Sequence, residues 1–429
     1  MPHSTEHAAP RARLTLALLA LLSALAFMDR QILAVLLVPV KAEFGLSDLQ
    51  VGLVTGLGFA LTFGLIGVPL GRVADRRERR ALVAWCRGIG GALAALGAAA
   101  TGAWTLAFTR MGGAISDAGA GPASMSMIAD LYPPEARSRA MSVFAMGAST
   151  GSLMALIGGA WFAQRHGWRA TLAAIGLVTL TVALLLRWVA REPQRGGVPG
   201  LSAAVMPGPV GQGAVRAVLA QPVARWLVVA AAFALLAGYS FGTWNFAYLV
   251  RVHGLAPQAA GWVTGLSALG SVCGTLASGA LADRLVRRDA RWQIGVPLVG
   301  VGLALPVGLA YLALGPQHTG WATLLVIAFG FFVSWWVAPA YAALSLVVAP
   351  ARRATANAML LLVGAVGGSG IGPVLTGALS DLLAGHVRGD PLRWSLALMV
   401  ALLAPAWLAF AQAMRAYPAG RRAAIEAAA

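Results

Sequence analysis

Acidic residues, cysteine and lysine are scarce in this sequence of 429 residues, which has 15 Asp and Glu, 2 Cys and a single lysine, Lys41. Lys41 lies in PVKAEFG, so the chain lacks the Gly-x-x-x-x-Gly-Lys-Ser/Thr loop that binds nucleotide phosphates, which excludes ATP hydrolysis through such a loop. Cys86 and Cys273 lie in separate apolar stretches and predict no disulfide framework. A Ser-His-Asp order and a cluster of metal ligands are also missing. We therefore expect no catalytic site, no metal site and no enzymatic activity.

Apolar residues dominate what is present, with 59% hydrophobic and 11% charged residues and a mean hydropathy of +0.76. A soluble protein of this length could not bury so much apolar surface, so the composition predicts a membrane protein. A spanning helix needs about 20 apolar residues, and runs this long are helices rather than barrel strands. The first run continues past charges and is predicted to be retained, not cleaved as a signal peptide. Twelve stretches are predicted to span: 14–39, 49–71, 81–101, 104–130, 140–163, 170–190, 224–249, 258–280, 292–315, 320–348, 354–382 and 394–414.

Basic residues set the predicted topology. The formal net charge is +17, with 32 Lys and Arg, and most of these side chains fall in loops and tails on the same side as the N-terminus. The positive-inside rule therefore predicts that both termini are cytoplasmic. We interpret the charge as a topology signal that also suits anionic lipid headgroups, and we expect no nucleic-acid partner.

Histidines are predicted to lie outside the spanning helices. Four map to loops on the outer side and two to the N-terminal tail. They are His166, His253, His318, His386, His3 and His7. This placement argues against a histidine proton relay and against a metal site within the membrane.

An internal repeat divides the chain into halves. GRVADRRERR at 71–80 and GALADRLVRR at 279–288 match at six of ten positions, and each follows the second predicted helix of its half. The sequence therefore predicts an all-α membrane protein with two pseudo-symmetric bundles of six helices, related as a parallel repeat. The stretch between the bundles is rich in Gly and Pro and reads as a cytoplasmic linker with a short amphipathic piece. The predicted domains are an N-terminal bundle at 1–191, a linker at 192–221 and a C-terminal bundle at 222–429.

The pattern Gly-x-x-x-Asp-Arg-x-x-Arg-Arg after the second helix, repeated after the eighth, resembles the major facilitator superfamily. The glycine would let the second and eleventh helices approach closely, and the arginines could bind the acid at the end of the fourth helix or helix C-terminal carbonyls. Such contacts would form a cytoplasmic latch; alternatively, the arginines only follow the positive-inside rule. Glu78 stands where the family has a second glycine. The candidate latch residues are Gly71, Asp75, Arg76, Arg79, Arg80 and Asp130, and the second copy has Gly279, Asp283, Arg284, Arg287 and Arg288.

Four charged residues fall within predicted spans. Asp117 of the fourth helix and Asp29 and Arg30 of the first lie near mid-span, and Arg110 of the fourth lies closer to the outside. Each costs at least about 2.5 kcal/mol to insert, so a functional role is the default hypothesis. Arg110 and Asp117 are seven residues apart and share a helix face. Small residues on that face predict a cavity or close packing: Gly113, Ala114, Ala120, Gly121 and Ser124. The alternative is a structural Arg30–Asp117 pair between the two helices.

Several longer stretches are similar to the bacterial spinster group: MDRQILAVLLVPVKAEFGLSDLQVG, GAGPASMSMIADLYPPEARSRAMSVF, LVRVHGLAPQAAGW and LADRLVRRDARW. The resemblance implies that Asp29, Arg30 and Asp117 line a central cavity and take part in coupling, with Arg110 nearby. The group usually has Glu where Asp117 stands. A proton is then the expected coupling ion, with no other cofactor, in a monomer of the bacterial inner membrane.

The C-terminal half is predicted to present aromatic rather than charged side chains, because no Asp or Glu falls at mid-depth in its helices. The candidate substrate-cavity residues are Tyr239, Trp244, Asn245, Tyr248, Trp335, Trp336 and Tyr341. Ordinary packing or interfacial belts would also explain the aromatic residues. One charged half and one aromatic half favour an amphiphilic solute whose anionic head would meet Arg30, Arg110 and Asn245.

These patterns favour a secondary active transporter that moves an amphiphilic or anionic organic solute, with a lysolipid-like molecule preferred, by alternating access and proton coupling. Membrane lipid is the other expected partner. Sugar-acid and organic-anion proton symporters share the helix-1 Asp-Arg pair and a helix-4 acid, so this substrate class stays open. An uncoupled lipid facilitator on the same scaffold is a further alternative, and a sensor that does not transport is a third.

Overall fold

The computed structural model describes residues 8–76, 78–132, 134–193, 212–348 and 353–426. These residues form helices, turns and short connections, and no strand occurs among them. The chain divides into two compact units, Met1–Ala204 and Val205–Ala429. The point of division lies within the predicted linker at 192–221.

Unit 1 contains six spanning helices. Gly45, with φ 61°, turns the chain after α1, and Ser47 with Gln50 forms a capping box that begins α2. Gly167, with φ 80°, separates α5 from α6 within one continuous helical stretch. The bounds are Ala8–Phe44 for α1, Asp48–Gly52, Leu53–Leu57 and Gly58–Arg76 for α2, Arg79–Leu96 for α3, Ala103–Leu131 for α4, and Pro134–Leu153, Met154–Gly159 and Ala160–Val189 for α5 and α6 together.

Unit 2 also contains six spanning helices, preceded by a short linker helix, Gln212–Ala220. Gln221 caps the first turn of α7 and Asp390 caps that of α12. The bounds are Pro222–His253 for α7, Pro257–Val286 for α8, Trp292–Ala313 for α9, Thr319–Val333 and Val337–Val347 for α10, Arg353–Leu362, Val363–Ile371 and Gly372–Leu383 for α11, and Pro391–Ala401 and Leu403–Glu426 for α12.

The predicted all-helical architecture is confirmed. Among the described residues, ten stretches are long and apolar enough to cross a membrane, and one of them, Arg139–Val189, includes parts of both α5 and α6. Ala103–Leu131 adds a further helix of 29 residues. The twelve predicted spans therefore correspond to α1 through α12.

Close helix contacts in unit 1 depend on glycine. A Cβ on Gly91 of α3 would lie 2.8 Å from the carbonyl oxygen of Gly176 in α6, and a Cβ on Gly176 would lie 2.3 Å from the nitrogen of Ala95. On the other side, a Cβ on Gly151 would lie 1.9 Å from the carbonyl oxygen of Ala24 in α1. Helices this close leave little room for side chains, as at other small-residue contacts in membrane bundles.

Three helices contain wider π-helical turns in the part of the chain that is described. The π segments are Leu53–Leu57 in α2, Met154–Gly159 in α5 and Val363–Ile371 in α11. Such turns are often found at functional positions of longer α-helices.

The predicted position of two histidines in loops is wrong. His253 is the last residue of α7, because the helix continues past its predicted end at 249 until Gly254 adopts a left-handed conformation with φ 65°. Its side chain is buried, and Nδ1 lies 3.4 Å from Thr319 Oγ1. His166 belongs to the helical stretch before Gly167. Neither lies at mid-span.

Candidate functional site

Asp29 and Arg110 form the first part of a buried charge cluster in unit 1. Arg110 Nη1 donates to Asp29 Oδ1 at 2.8 Å, and Arg110 Nη2 donates to Oδ2 at 3.0 Å. The same Nη2 donates to the backbone oxygen of Asp29 at 2.6 Å. Both residues are buried. A bidentate pair of this kind fixes geometry as well as charge, and it holds α1 against α4.

Asp117 lies at the centre of the second part of the cluster. Arg30 of α1 forms an ion pair with Asp117 Oδ2. Arg87 of α3 donates from Nη1 to Asp117 Oδ1 at 3.0 Å and to Ser116 Oγ at 2.9 Å. Asp117 is therefore shared between two guanidiniums that come from different helices.

Arg87 is a member of this cluster that the sequence interpretation left out. The sequence already marked Arg87 as a candidate, because an arginine within the predicted stretch 81–101 costs as much to insert into the membrane as Arg30 or Arg110. Its buried side chain shows why it needs a partner in the interior. The alternative of a simple Arg30–Asp117 pair therefore omits the contact between Arg87 and Asp117.

The three arginines of the cluster differ in exposure. The side chain of Arg30 is 27% exposed, against 4% for Arg87 and 8% for Arg110. The Arg30 guanidinium carbon lies 4.4 Å from the centre of the Phe59 ring and 5.2 Å from that of Phe27. Cation–π contacts at such distances are favourable. Arg30 therefore lies in an aromatic setting at the edge of the cluster.

The small residues of α4 permit close packing around these charges. Ala114, Ala120 and Ser124 are buried, and a Cβ on Gly113 would lie 3.4 Å from Asp29 Oδ2. A cavity of about 10 Å³ remains beside Asp29, close to the space that one water needs. It is lined by Ala26, Asp29, Gly90, Gly91, Ala94, Gly113, Ser116 and Thr179.

A second polar cluster, at the N-terminal end of α3, is built around the buried side chain of Arg79. Arg79 Nη1 donates to Asp130 Oδ2 at 2.5 Å and to Ser126 Oγ at 2.9 Å, both on α4. Arg79 Nε donates to Glu192 Oε1 at 2.9 Å, and Nη2 donates to the carbonyl oxygen of Pro193. Glu192 was placed in the linker by the sequence interpretation and was not assigned a role.

Arg80 adds contacts to the end of α6. Its Nη1 donates to the carbonyl oxygen of Ala190 at 2.7 Å, and its backbone N–H donates to Glu192 Oε2 at 2.7 Å. The side chains of Asp75 and Arg76 lie outside the described residues, although their backbone belongs to α2, as does Gly71. The contact predicted between Gly71 and the eleventh helix stays a prediction.

The second copy of the motif has a different setting. The side chains of Asp283, Arg284, Arg287 and Arg288 are exposed. Gly279 faces α10, where a Cβ would lie 3.9 Å from Cβ of Ala338. The arginine contacts seen around Arg79 therefore belong to the first copy, and the two copies share sequence more than they share environment.

Four of the seven candidate cavity residues in unit 2 are buried in its interior: Trp244, Asn245, Tyr248 and Trp336. Trp244 Nε1 donates to the carbonyl oxygen of Pro373 at 3.1 Å, and Tyr248 Oη donates to that of Leu312 at 3.2 Å. Asn245 accepts a bond of 2.7 Å from Tyr311. These four are packing residues in this conformation, whereas Tyr239, Trp335 and Tyr341 keep exposed surface.

Known proteins resemble this chain over most of its length. The model of the Major Facilitator Superfamily matches residues 19–370. An MFS-type efflux pump of Mycolicibacterium smegmatis is 33% identical over 404 residues, which cover 94% of this chain and 92% of the pump. Protein spinster homolog 1 of Xenopus tropicalis is 26% identical over 379 residues, which cover 83% of this chain and 70% of that protein.

Solved structures show the same relationship. The crystal structure of a bacterial homolog to the human lysosomal transporter Spinster, inward-facing and unoccupied, matches with a TM-score of 0.85 and 27% identity, covering 96% of this chain and 98% of that one. The nucleoside transporter NupG matches with a TM-score of 0.72 and 16% identity, covering 93% and 98%, which shows the fold alone. Family model, relatives and fold agree: this multi-pass membrane protein is a transporter of the major facilitator superfamily, similar to the spinster proteins, and not an enzyme.

Proposed function

We propose that this chain is a proton-coupled secondary active transporter that moves an amphiphilic or anionic organic solute, with a lysolipid-like molecule favoured, by alternating access. The observation that carries the proposal is the position of Asp117 between Arg30 and Arg87. A proton on Asp117 would remove the charge that both guanidiniums share. One protonation event can therefore change the bonding between three helices, α1, α3 and α4.

The relatives support the coarser features of this cycle. Bacterial homologues of Spinster have been solved in inward-facing forms, both unoccupied and occupied. The efflux pump of M. smegmatis suggests export as the direction. We propose that the protein acts as a monomer in the bacterial inner membrane with both termini in the cytoplasm, where most of its basic loops would lie.

The Arg79 cluster supports a latch at the predicted cytoplasmic end. Arg79 already connects α3 to Asp130 of α4 and to Glu192 at the start of the linker. We propose that Gly71, Asp75 and Arg76 complete this latch in the closed form. The contacts of Arg79 would then keep the ends of α3, α4 and α6 together while the latch opens and closes.

Transport in liposomes tests the coupling. Wild-type protein and Asp117→Asn are reconstituted, a pH gradient is imposed, and uptake of a radiolabelled lysolipid is followed. Asp117→Asn should lower gradient-driven uptake by about tenfold or more, because Asn cannot take up a proton. A tenfold change corresponds to roughly 1.4 kcal/mol in the barrier. Exchange without a gradient should continue. Asp289→Asn, an exposed substitution between α8 and α9, is the matched control.

The outcomes separate the alternatives. Uptake by the wild type that does not depend on the gradient would identify an uncoupled lipid facilitator instead. An Asp117→Asn variant that transports at the wild-type rate would show that Asp117 has no coupling role. Gradient-driven uptake of a sugar acid, with no uptake of lysolipid, would keep the proton mechanism and replace the substrate class.

A further inference from the structure

The buried charge cluster of unit 1 contains more bases than acids. Its ion pairs join the carboxylates of Asp29 and Asp117 to the guanidiniums of Arg30, Arg87 and Arg110. Arginine stays protonated in proteins, so the cluster carries one surplus positive charge when both carboxylates are ionised. A charge without a counter-ion is unfavourable in a low-dielectric interior. An anionic group on a bound molecule would neutralise the surplus.

Arg30 is the arginine that can reach such a group. It contacts Asp117 through Nη2, and its side chain is 27% exposed. Arg110 is fixed by three bonds to Asp29. Arg87 is the least exposed of the three and is held by Asp117 and Ser116. Arg30 therefore has the exposure that binding an anion requires, and Asp117 occupies one of its nitrogens.

Arg87 determines whether Arg30 can leave its carboxylate. Removing one partner of a buried ion pair is costly because the other charge is left alone. If Arg30 turned away and Asp117 had no other partner, this cost would hold Arg30 in place. Asp117 Oδ1 instead keeps its bond to Arg87, so Asp117 stays compensated after Arg30 has moved.

We propose that Arg87 is a positioning residue that holds Asp117, so that Arg30 can move away from it and bind a ligand whose head carries one net negative charge. The proposal deepens the transport function above and rests on it. The rings of Phe59 and Phe27 beside the Arg30 guanidinium offer apolar surface next to that charge. The site therefore favours a monoanionic amphiphile over a zwitterionic one with the same chain.

Equilibrium binding with two matched probes tests the proposal. Lysophosphatidylglycerol carries one net negative charge, and lysophosphatidylcholine with the same acyl chain carries none. Binding of each to the full chain is measured in uncharged detergent by microscale thermophoresis at one fixed pH. The wild type should bind the anionic probe about tenfold more tightly, which corresponds to about 1.4 kcal/mol. Arg30→Gln should abolish this preference, so that both probes bind with similar affinity.

Arg87→Gln separates positioning from general loss of charge. It removes the surplus charge and leaves Arg30 as the remaining partner of Asp117, so the preference for the anionic probe should fall to about twofold or less. Arg187→Gln removes one positive charge from a half-exposed site at the end of α6 and should keep the full preference. Thermal unfolding of each variant in detergent confirms that it is folded.

A rescue distinguishes the proposal from a structural role for Arg87. In Arg87→Gln/Asp117→Asn the surplus positive charge returns and Arg30 is free again, so the preference should return to near the wild-type value. If Arg87→Gln still prefers the anionic probe, the proposal is wrong. It is equally wrong if the double variant shows no more preference for that probe than Arg87→Gln does. Equal affinity of the wild type for both probes would do the same. Because these measurements use no gradient, lost proton coupling would contradict the transport proposal and leave this result intact.

Discussion

Unit 1 places five charged side chains in its interior, whereas the interior of unit 2 is joined by uncharged hydrogen bonds. In unit 2, Tyr311 donates to Asn245 at 2.7 Å, and Ser395 donates to the carbonyl oxygen of Thr376 at 2.5 Å. Its ion pair Arg251–Asp390 lies at the helix ends, between the last turn of α7 and the residue before α12. Among the described residues, the interior of unit 1 therefore contains ion pairs, whereas the buried histidine of unit 2, His253, lies at the end of α7.

The two halves share a sequence motif but differ in the chemistry of their interiors. The repeat at 71–80 and 279–288 shows that the halves share a pattern, yet among the described residues the interior ion pairs lie in the first half. Under the transport function proposed above, unit 1 would change its internal bonding during the cycle and unit 2 would keep its packing.

The largest effect that would break this comparison is expected at Asp29. In Asp29→Asn, Arg110 loses its counter-charge and stays buried. Breaking a buried pair in this way lowers the free energy of unfolding by about 3–5 kcal/mol. Thermal unfolding in detergent measures it. Asp289→Asn, on the surface, should change the free energy of unfolding by no more than about 0.5 kcal/mol.

A second substitution shows whether charge is the cause. In Asp29→Asn/Arg110→Gln no buried charge of this pair remains, so a large part of the lost stability should return. If Asp29→Asn alone unfolded at the wild-type temperature, the pair would contribute nothing to unit 1, and the contrast between the units would disappear.

An intermediate effect is expected in unit 2 for Tyr311→Phe. The change leaves Oδ1 of Asn245 buried without its donor, which costs about 1–3 kcal/mol. The midpoint of thermal unfolding should fall less than in Asp29→Asn. Tyr239→Phe, which alters an exposed tyrosine of the same unit, is the matched control. A loss as large as that of Asp29→Asn would mean that neutral and charged interiors are equally sensitive.

The smallest effect is expected for Ser395→Ala. Ser395 donates to the carbonyl oxygen of Thr376, a helical carbonyl that has a main-chain partner as well. Interhelical hydrogen bonds of this type contribute about 0.6 kcal/mol on average in membrane proteins. The same unfolding assay should show a small shift. A shift above that of Tyr311→Phe would show that this bond, rather than the Tyr311–Asn245 bond, is the main polar contact of unit 2.

The sequence was sufficient for the fold and for most of the charge cluster. Long apolar runs and the repeated motif predict twelve helices in two halves, and the insertion cost of a charge draws attention to Asp29, Arg30, Arg110 and Asp117. Arg87 was missed although it carries the same signal, because one sequence does not show that α3 faces α4 at this level. That contact depends on the close approach at Gly90 and Gly112.

The aromatic residues of unit 2 could not be assigned from the sequence. A soluble helix shows its buried face by amphipathic periodicity, but a membrane helix that is apolar all round does not. Trp244 and Tyr239 are both aromatic residues of α7, yet one is buried and the other 37% exposed. Trp244 donates to the carbonyl oxygen of Pro373 on α11, a partner that only the tertiary structure supplies.

The π segments have a consequence for the length of the chain. A π turn closes its hydrogen bond over five residues instead of four, so it accommodates one residue more than an α turn while the helix on either side keeps its orientation. Elsewhere in a helix, one residue more or less rotates everything that follows by about 100°. At Leu53–Leu57 and Met154–Gly159, α2 and α5 therefore already hold an extra residue, and deleting one residue there should restore an α turn without turning their other side chains to a new face.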